Sequence, residues 1–182
     1  MKVKFLVFSL FFVIFSNSMS AQNPDSKWTL GAHIGSVIYS DLDGKNLGGA
    51  YIDQIPRFTL SRYMFSNITF EGAIGTTLLD NQKYTTFDGI AKYDFGKSFD
   101  NVVPYILIGG SFIKGTKLTT TLNLGAGNTF WIFPNYGLNI QVMYKYSDPR
   151  YTSQFSHLYP TIGIVYSFKS RNMNRRLWHM NH

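Results

Sequence analysis

Leu138-Asn139-Ile140-Gln141-Val142-Met143-Tyr144-Lys145-Tyr146-Ser147 decides the fold. Leu138, Ile140, Val142, Tyr144 and Tyr146 fall at every second position, with Asn139, Gln141, Met143, Lys145 and Ser147 between them. A strand points successive side chains to opposite faces, so this period of two marks a β-strand with one apolar and one polar face. A helix would repeat its apolar positions every three or four residues instead.

The same alternation recurs on both sides of this stretch. Upstream, Trp28, Leu30, Ala32 and Ile34 oppose Thr29, Gly31, His33 and Gly35 in a first strand running to Tyr39. Phe58 and Leu60 oppose Arg57, Thr59 and Ser61 within a segment from Tyr51 to Tyr63, and Met64 to Asn67 makes a hairpin link. Ile68, Phe70, Gly72 and Ile74 oppose Thr69, Glu71, Ala73 and Gly75. In the segment from Thr85 to Phe95, Phe87, Gly89, Ala91 and Tyr93 oppose Asp88, Ile90, Lys92 and Asp94. Val103 to Lys114 reads as a fifth strand of undecided facing, because Tyr105-Ile106-Leu107-Ile108 is apolar on both sides. Leu122, Leu124 and Ala126 oppose Thr121, Asn123, Gly125 and Gly127 within Leu118 to Trp131. Downstream, Leu158, Ile162, Ile164, Tyr166 and Phe168 form the apolar face of a last strand from His157. Polar links such as 40–49 and 148–154 separate the segments.

Eight such strands, mostly of ten or more residues, match what a tilted strand needs to cross a bilayer and exceed the five or six usual in soluble sheets. Alternation alone does not say which face looks outward, and a soluble, lipocalin-like barrel with the apolar face inward is the rival reading. The lipid-facing arrangement is favoured because the polar face carries both signs of charge, which can pair across a narrow interior. That face also holds Gly31, Gly35, Gly75, Gly125 and Gly127, which leave room for long side chains. Aromatics gather near strand ends, at Trp28, Tyr39, Tyr63, Phe65, Tyr93, Phe95, Phe130, Trp131, Tyr146, Tyr166 and Phe168, as interfacial girdles require. An open sheet edge in hydrocarbon would strand N–H and C=O groups, so the last strand is expected to pair with the first.

Residues 1–21 read as a secretory leader: Lys2 and Lys4, an apolar run from Phe5 to Phe15, then small and polar residues with cleavage after Ala21 or, alternatively, Ser20. The chain has no Cys, so disulfides, a lipidated N-terminus and thiolate metal sites are excluded. Two of the 17 basic residues leave with the leader, and Lys169, Arg171, Arg175 and Arg176 lie in the last stretch. The body is therefore nearly neutral, and the net charge of +7 does not point to nucleic acid.

The stretch Phe87-Asp88-Gly89-Ile90-Ala91-Lys92-Tyr93-Asp94-Phe95-Gly96, the following Pro104-Tyr105-Ile106-Leu107-Ile108-Gly109-Gly110 and the later Gly125-Ala126-Gly127-Asn128-Thr129-Phe130-Trp131 resemble the small OmpA-like or OmpX-like outer-membrane barrels of Bacteroidota. Over 22–168 the resemblance implies an outer-membrane location, contact with lipid and lipopolysaccharide, and a final strand whose Tyr166 and Phe168 are read by the barrel-assembly machinery. It also implies that the tail 169–182 (KSRNMNRRLWHMNH) lies in the periplasm. Full-length OmpA relatives continue into a peptidoglycan-binding domain, for which no residues follow here.

Catalytic patterns are not met. The His-x-Ser arrangement of lipid A deacylases is missing at His33-Ile34-Gly35 and at His157-Leu158-Tyr159. His179 and His182 could share a metal only in a helical tail, and no carboxylate or Cys supports them. The reading is therefore an all-β, eight-stranded antiparallel transmembrane up-and-down barrel at 22–168, between a leader and a basic tail. His33, Arg57, Glu71, Lys92, Asp94 and Lys145 are expected to form a structural charge network in the lumen. No catalytic residue, metal or cofactor is expected. The function expected is that of a plugged structural or accessory subunit in a larger outer-membrane complex, meeting a partner through Lys169, Arg171, Arg175, Arg176 and Trp178. A narrow pore is the alternative.

Overall fold

The computed structural model describes residues 28–40, 51–65, 67–78, 84–96, 100–115, 118–148 and 155–171, so the leader and residues 172–182 of the tail lie outside the described residues. Eight strands follow one another: β1 (Trp28–Ile38), β2 (Tyr51–Phe65), β3 (Ile68–Thr76), β4 (Thr85–Asp94), β5 (Val102–Lys114), β6 (Leu118–Trp131), β7 (Tyr136–Tyr146) and β8 (His157–Ser167). Each pairs antiparallel with its neighbours, and β8 closes on β1 through pairs such as Leu30 with Tyr166 and Ile34 with Ile162. Every strand therefore has two partners, and the sheet has no edge for hydrocarbon to meet.

The register sets the barrel's size. One row of paired residues runs Trp28, Arg62, Phe70, Ala91, Ile108, Leu124, Tyr144, Leu158 and returns to β1 at Ile38. The return lies ten residues beyond the start (Trp28 to Ile38). With eight strands at ordinary strand spacing and rise, that stagger requires a tilt of about 40° and a backbone radius of about 8 Å. Eleven residues of β7 at that tilt rise about 27 Å, the depth of a bilayer's hydrocarbon.

Both described chain ends, the end of β2 and start of β3, the end of β4 and start of β5, and the link 132–135 lie at one end, called here the turn end. The end of β1 and start of β2, the end of β3 and start of β4, the end of β5 and start of β6, and the end of β7 and start of β8 lie at the other, the loop end. The link 115–117 is short, which breaks the alternation of long and short connections. The β2–β3 hairpin is also tighter than the sequence suggests, since β2 runs on to Phe65. Asn67 takes up a positive φ of 67° there, a conformation its short polar side chain tolerates.

The wall is inverted relative to a soluble barrel. Ile140 and Val142 are 41% and 46% exposed on the outside, while Gln141 and Lys145 point into a closed interior at 1% and 0%. Among the described strand side chains, the outward charges are Arg62 and Lys114, each near a strand end. The undecided fifth strand turns Val103, Tyr105, Leu107, Ser111 and Ile113 inward and Ile106, Ile108 and Phe112 outward. Trp28, Phe65, Tyr93, Phe95, Tyr136 and Phe168 form an outward aromatic belt at the turn end, with edge contacts between Tyr93 and Phe95 and between Tyr166 and Phe168. Three residues expected in the girdles are not there. Tyr63, half-buried, pairs with the inward-facing Thr69 and shares the phase of Arg57, Thr59 and Ser61. Tyr39 and Trp131 share the parity of the inward positions on β1 and β6 and are buried inside the barrel.

Because the chain has no cysteine, single substitutions give unique labels. In lipid vesicles, a fluorophore on Ile140→Cys or Val142→Cys is expected to be quenched by nitroxide-bearing lipid, and one on Gln141→Cys or Met143→Cys is not. The reverse pattern would show that the wall faces the other way.

Candidate functional site

The chemistry-bearing residues are concentrated in the lumen, where three neighbouring strands, β2, β3 and β4, and β7 from across the lumen deliver them. Arg57 on β2 donates to Glu71 on β3 at 3.1 Å and to Asp88 on β4 at 3.2 Å. Lys92 on β4 reaches back to the other Glu71 oxygen, which also accepts from the Ser61 hydroxyl at 3.0 Å. Lys145 crosses from β7 to Asp88 at 2.7 Å and to the Thr86 hydroxyl at 2.7 Å. Ser111 donates to Asp88 at 2.6 Å, and Asn123 in turn donates to the Ser111 oxygen. Each carboxylate thus meets two cations and at least one hydroxyl, the condition under which buried charge is tolerated.

Three cations face two carboxylates in this network, and aromatic faces take up the imbalance. Lys92 Nζ lies 4.6 Å from the centre of the Tyr105 ring, and Lys145 Nζ lies 4.6 Å from that of Tyr159. An ammonium over a π-face is stabilised most where water is excluded.

The sequence-derived lumen residues divide on this geometry. Arg57, Glu71, Lys92 and Lys145 come together, with Asp88 as the second carboxylate. His33 is buried beside them, opposite Arg57 in the register, but its Nδ1 has no hydrogen-bond partner among the described residues. Its ring fits because Gly31 and Gly163 lack side chains; a Cβ on either would come within 2.5 Å of a ring carbon. Asp94 stands apart. It accepts from the Thr69 hydroxyl at 2.7 Å near the turn end, away from the central pairs.

A polar belt lies between the network and the turn end. Tyr105 donates to Gln141 at 2.9 Å, and Asn139 donates to the Tyr105 oxygen and to Thr129, each at 2.9 Å. At the turn end itself Val103, Trp131 and Val165 pack together, and the guanidinium of Arg171 lies 4.4 Å over the Trp131 ring. The Arg171 backbone N–H donates to Pro134 at 2.9 Å. Burial lowers this guanidinium to about 10, with Asp94 and Asp100 pulling the other way, so it is charged at neutral pH. Arg171 is therefore part of the barrel's floor. Lys169 is exposed, and Arg175, Arg176 and Trp178 lie outside the described residues.

The loop end holds a cluster that sequence reasoning missed. Tyr39, Tyr84, His157 and Tyr159 meet inside the barrel with ring centroids 5.2 to 6.1 Å apart. His157 Nδ1 lies 2.7 Å from the Phe155 carbonyl, which can only accept, so Nδ1 carries the proton and Nε2 is free to accept. Tyr84 supplies that bond at 2.9 Å. Burial raises the Tyr84 phenol well above its usual range and keeps it a neutral donor. The residue before β4 and the first residue of β8, distant in sequence, are joined across the lumen by this bond.

Charge balance makes a specific prediction. Asp88→Asn deprives both Lys145 and Arg57 of their shared partner and is expected to cost roughly 3–5 kcal/mol. Arg57→Met leaves the two lysines facing the two acids and is expected to cost clearly less. Urea unfolding of the barrel in detergent, followed by tryptophan fluorescence, measures both. A larger loss for Arg57→Met would overturn the charge-balance account.

No family model matches this chain, and no curated protein matches it by sequence. Solved structures do match in fold. The N-terminal β-barrel domain of Pseudomonas aeruginosa OprF aligns with a TM-score of 0.62 at 12% identity, over 79% of this chain and 98% of that one. Neisserial surface protein A aligns at 0.58 and 15%, over 78% and 96%. Ail, the attachment invasion locus protein of Yersinia pestis, solved with the heparin analogue sucrose octasulfate, aligns at 0.52 and 16%, over 79% and 98%. The chain has the fold of the small eight-stranded outer-membrane barrels.

Proposed function

We propose that this protein is an integral outer-membrane barrel with an occluded lumen, acting as a non-catalytic structural or accessory subunit of the cell envelope. The observation that carries this reading is the filling of the lumen along its length. The aromatic and histidine cluster occupies the loop end, the five-member ionic network the centre, and Trp131 with Arg171 the turn end. A barrel of about 8 Å backbone radius holds little beyond its own side chains. What such a protein offers to others is its surface: a wall for lipid, loops on one side and the tail on the other.

In this reading residues 1–21 are the cleaved leader, the turn end faces the periplasm, and lipopolysaccharide and phospholipid contact the wall. Tyr166 and Phe168 serve as the last-strand signal for the assembly machinery. A partner in the outer membrane or periplasm binds Lys169, Arg175, Arg176 and Trp178. Arg171 is excluded from that contact because it packs on Trp131.

Planar-bilayer recording tests the occluded lumen. The purified barrel is expected to give no steady conductance at moderate voltage. Stable steps that fall as the permeant ion is enlarged would establish a pore instead.

A further inference from the structure

The outer wall is uneven. Gly72 on β3, Gly89 on β4 and Gly110 on β5 are register partners that all face outward. A Cβ built on Gly72 or Gly89 would meet nothing within 4 Å, so both open onto empty space. The space is an open groove of about 510 Å³, lined by Leu60, Phe70 and Ile108 and, towards the turn end, by Trp28 and Arg62. Because the paired row climbs around the barrel, the groove does too. Arg62 lies three residues from the turn-end limit of β2 (Phe65), whereas Ile108 sits midway along β5 (Val102–Lys114).

The groove therefore runs from the exposed guanidinium of Arg62, near the turn end, to apolar side chains at mid-wall. The guanidinium is held over the Trp28 ring, 5.1 Å from its centre, beside the groove's mouth. A lipid has this polarity: an anionic headgroup at the interface and a hydrocarbon chain reaching towards the bilayer centre. A protein segment in the same groove would need to cap Arg62 with an acid and to be apolar beyond it. Arginine recognises phosphate well because its planar fork donates two hydrogen bonds.

We propose that this groove is a binding site for one anionic phospholipid, with its phosphate on Arg62 and one acyl chain laid over Gly72 and Gly89. The proposal rests on the membrane reading given above, and it assigns the lipid to the leaflet at the turn end.

Native mass spectrometry of the barrel released from detergent, with phosphatidylglycerol, phosphatidylcholine or lipid A added, provides the test, alongside flotation with vesicles. One phosphatidylglycerol per barrel is expected to be retained in preference to phosphatidylcholine. Gly89→Leu, whose Cβ meets nothing within 4 Å and whose side chain occupies the groove, is expected to lower retention at least tenfold. Ala126→Leu, outward on β6, is expected to leave it unchanged. Arg62→Gln is expected to erase the preference for the anionic lipid. Equal retention by Gly89→Leu, a preference for lipid A, or a dimer that Gly89→Leu dissolves would each overturn the proposal. Failure of the unmodified barrel to float with vesicles would instead defeat the membrane reading itself.

Discussion

Closure of the hydrogen-bonded ladder is the constraint from which the remaining features follow. In hydrocarbon each unpaired backbone group costs several kcal/mol, and one open edge would expose a whole row of them. The pairing of β8 with β1 removes that cost, but only at a fixed strand number and stagger. A stagger of ten over eight strands in turn fixes the tilt and the radius. Once the radius is about 8 Å, the interior is just wide enough for side chains to fill. The lumen has to be filled by side chains from opposite walls, and long ones fill it best.

That requirement explains why charge lies at the centre. Arg57, Lys92 and Lys145 are long enough to span the lumen, and each can satisfy its donors on groups from other strands. Leucine or methionine could fill the same volume. Ion pairs also tie β2, β3, β4 and β7 into one register, because a slip of one residue would turn every charge out into lipid. The penalty for such a slip is far greater in a bilayer than in water, so the network selects one pairing as well as stabilising it. Glycines serve the same end: Gly31 and Gly163 give His33 its space, and Gly127 lies beneath the Tyr105 ring.

Most of the architecture is legible in the sequence because parity is a local property. In β7 and β4 the polar residues Gln141, Lys145, Asp88 and Lys92 share one phase, and the structure turns all four inward. In β5 the phase is obscured, because Val103, Tyr105 and Leu107 face inward near the polar belt while Ile106 and Ile108 face outward. Ser111, which shares the inward phase and bonds Asp88, carries the signal that resolves it. Tyr39 and Trp131 mislead for another reason. Position near a strand end suggests an interfacial ring, but parity overrides it and turns both inward. The Tyr84–His157 bond is beyond local reading altogether, since it depends on the starts of β4 and β8 meeting across a closed barrel.

The two faces of the wall use small residues to opposite effect. Inside, neighbours take the space of a missing side chain, as His33 does over Gly31 and Gly163 and Tyr105 over Gly127. Outside, the neighbour is fluid, and the protein supplies nothing to occupy the dent over Gly72 and Gly89. A bilayer tolerates no vacuum, so whatever the protein leaves open at its wall is filled by acyl chain. The position of Arg62 at the mouth then determines which lipid gains most by filling it. The closed ladder that isolates the lumen from solvent thus leaves the outer face free to vary, and selectivity towards the surroundings has to be written there.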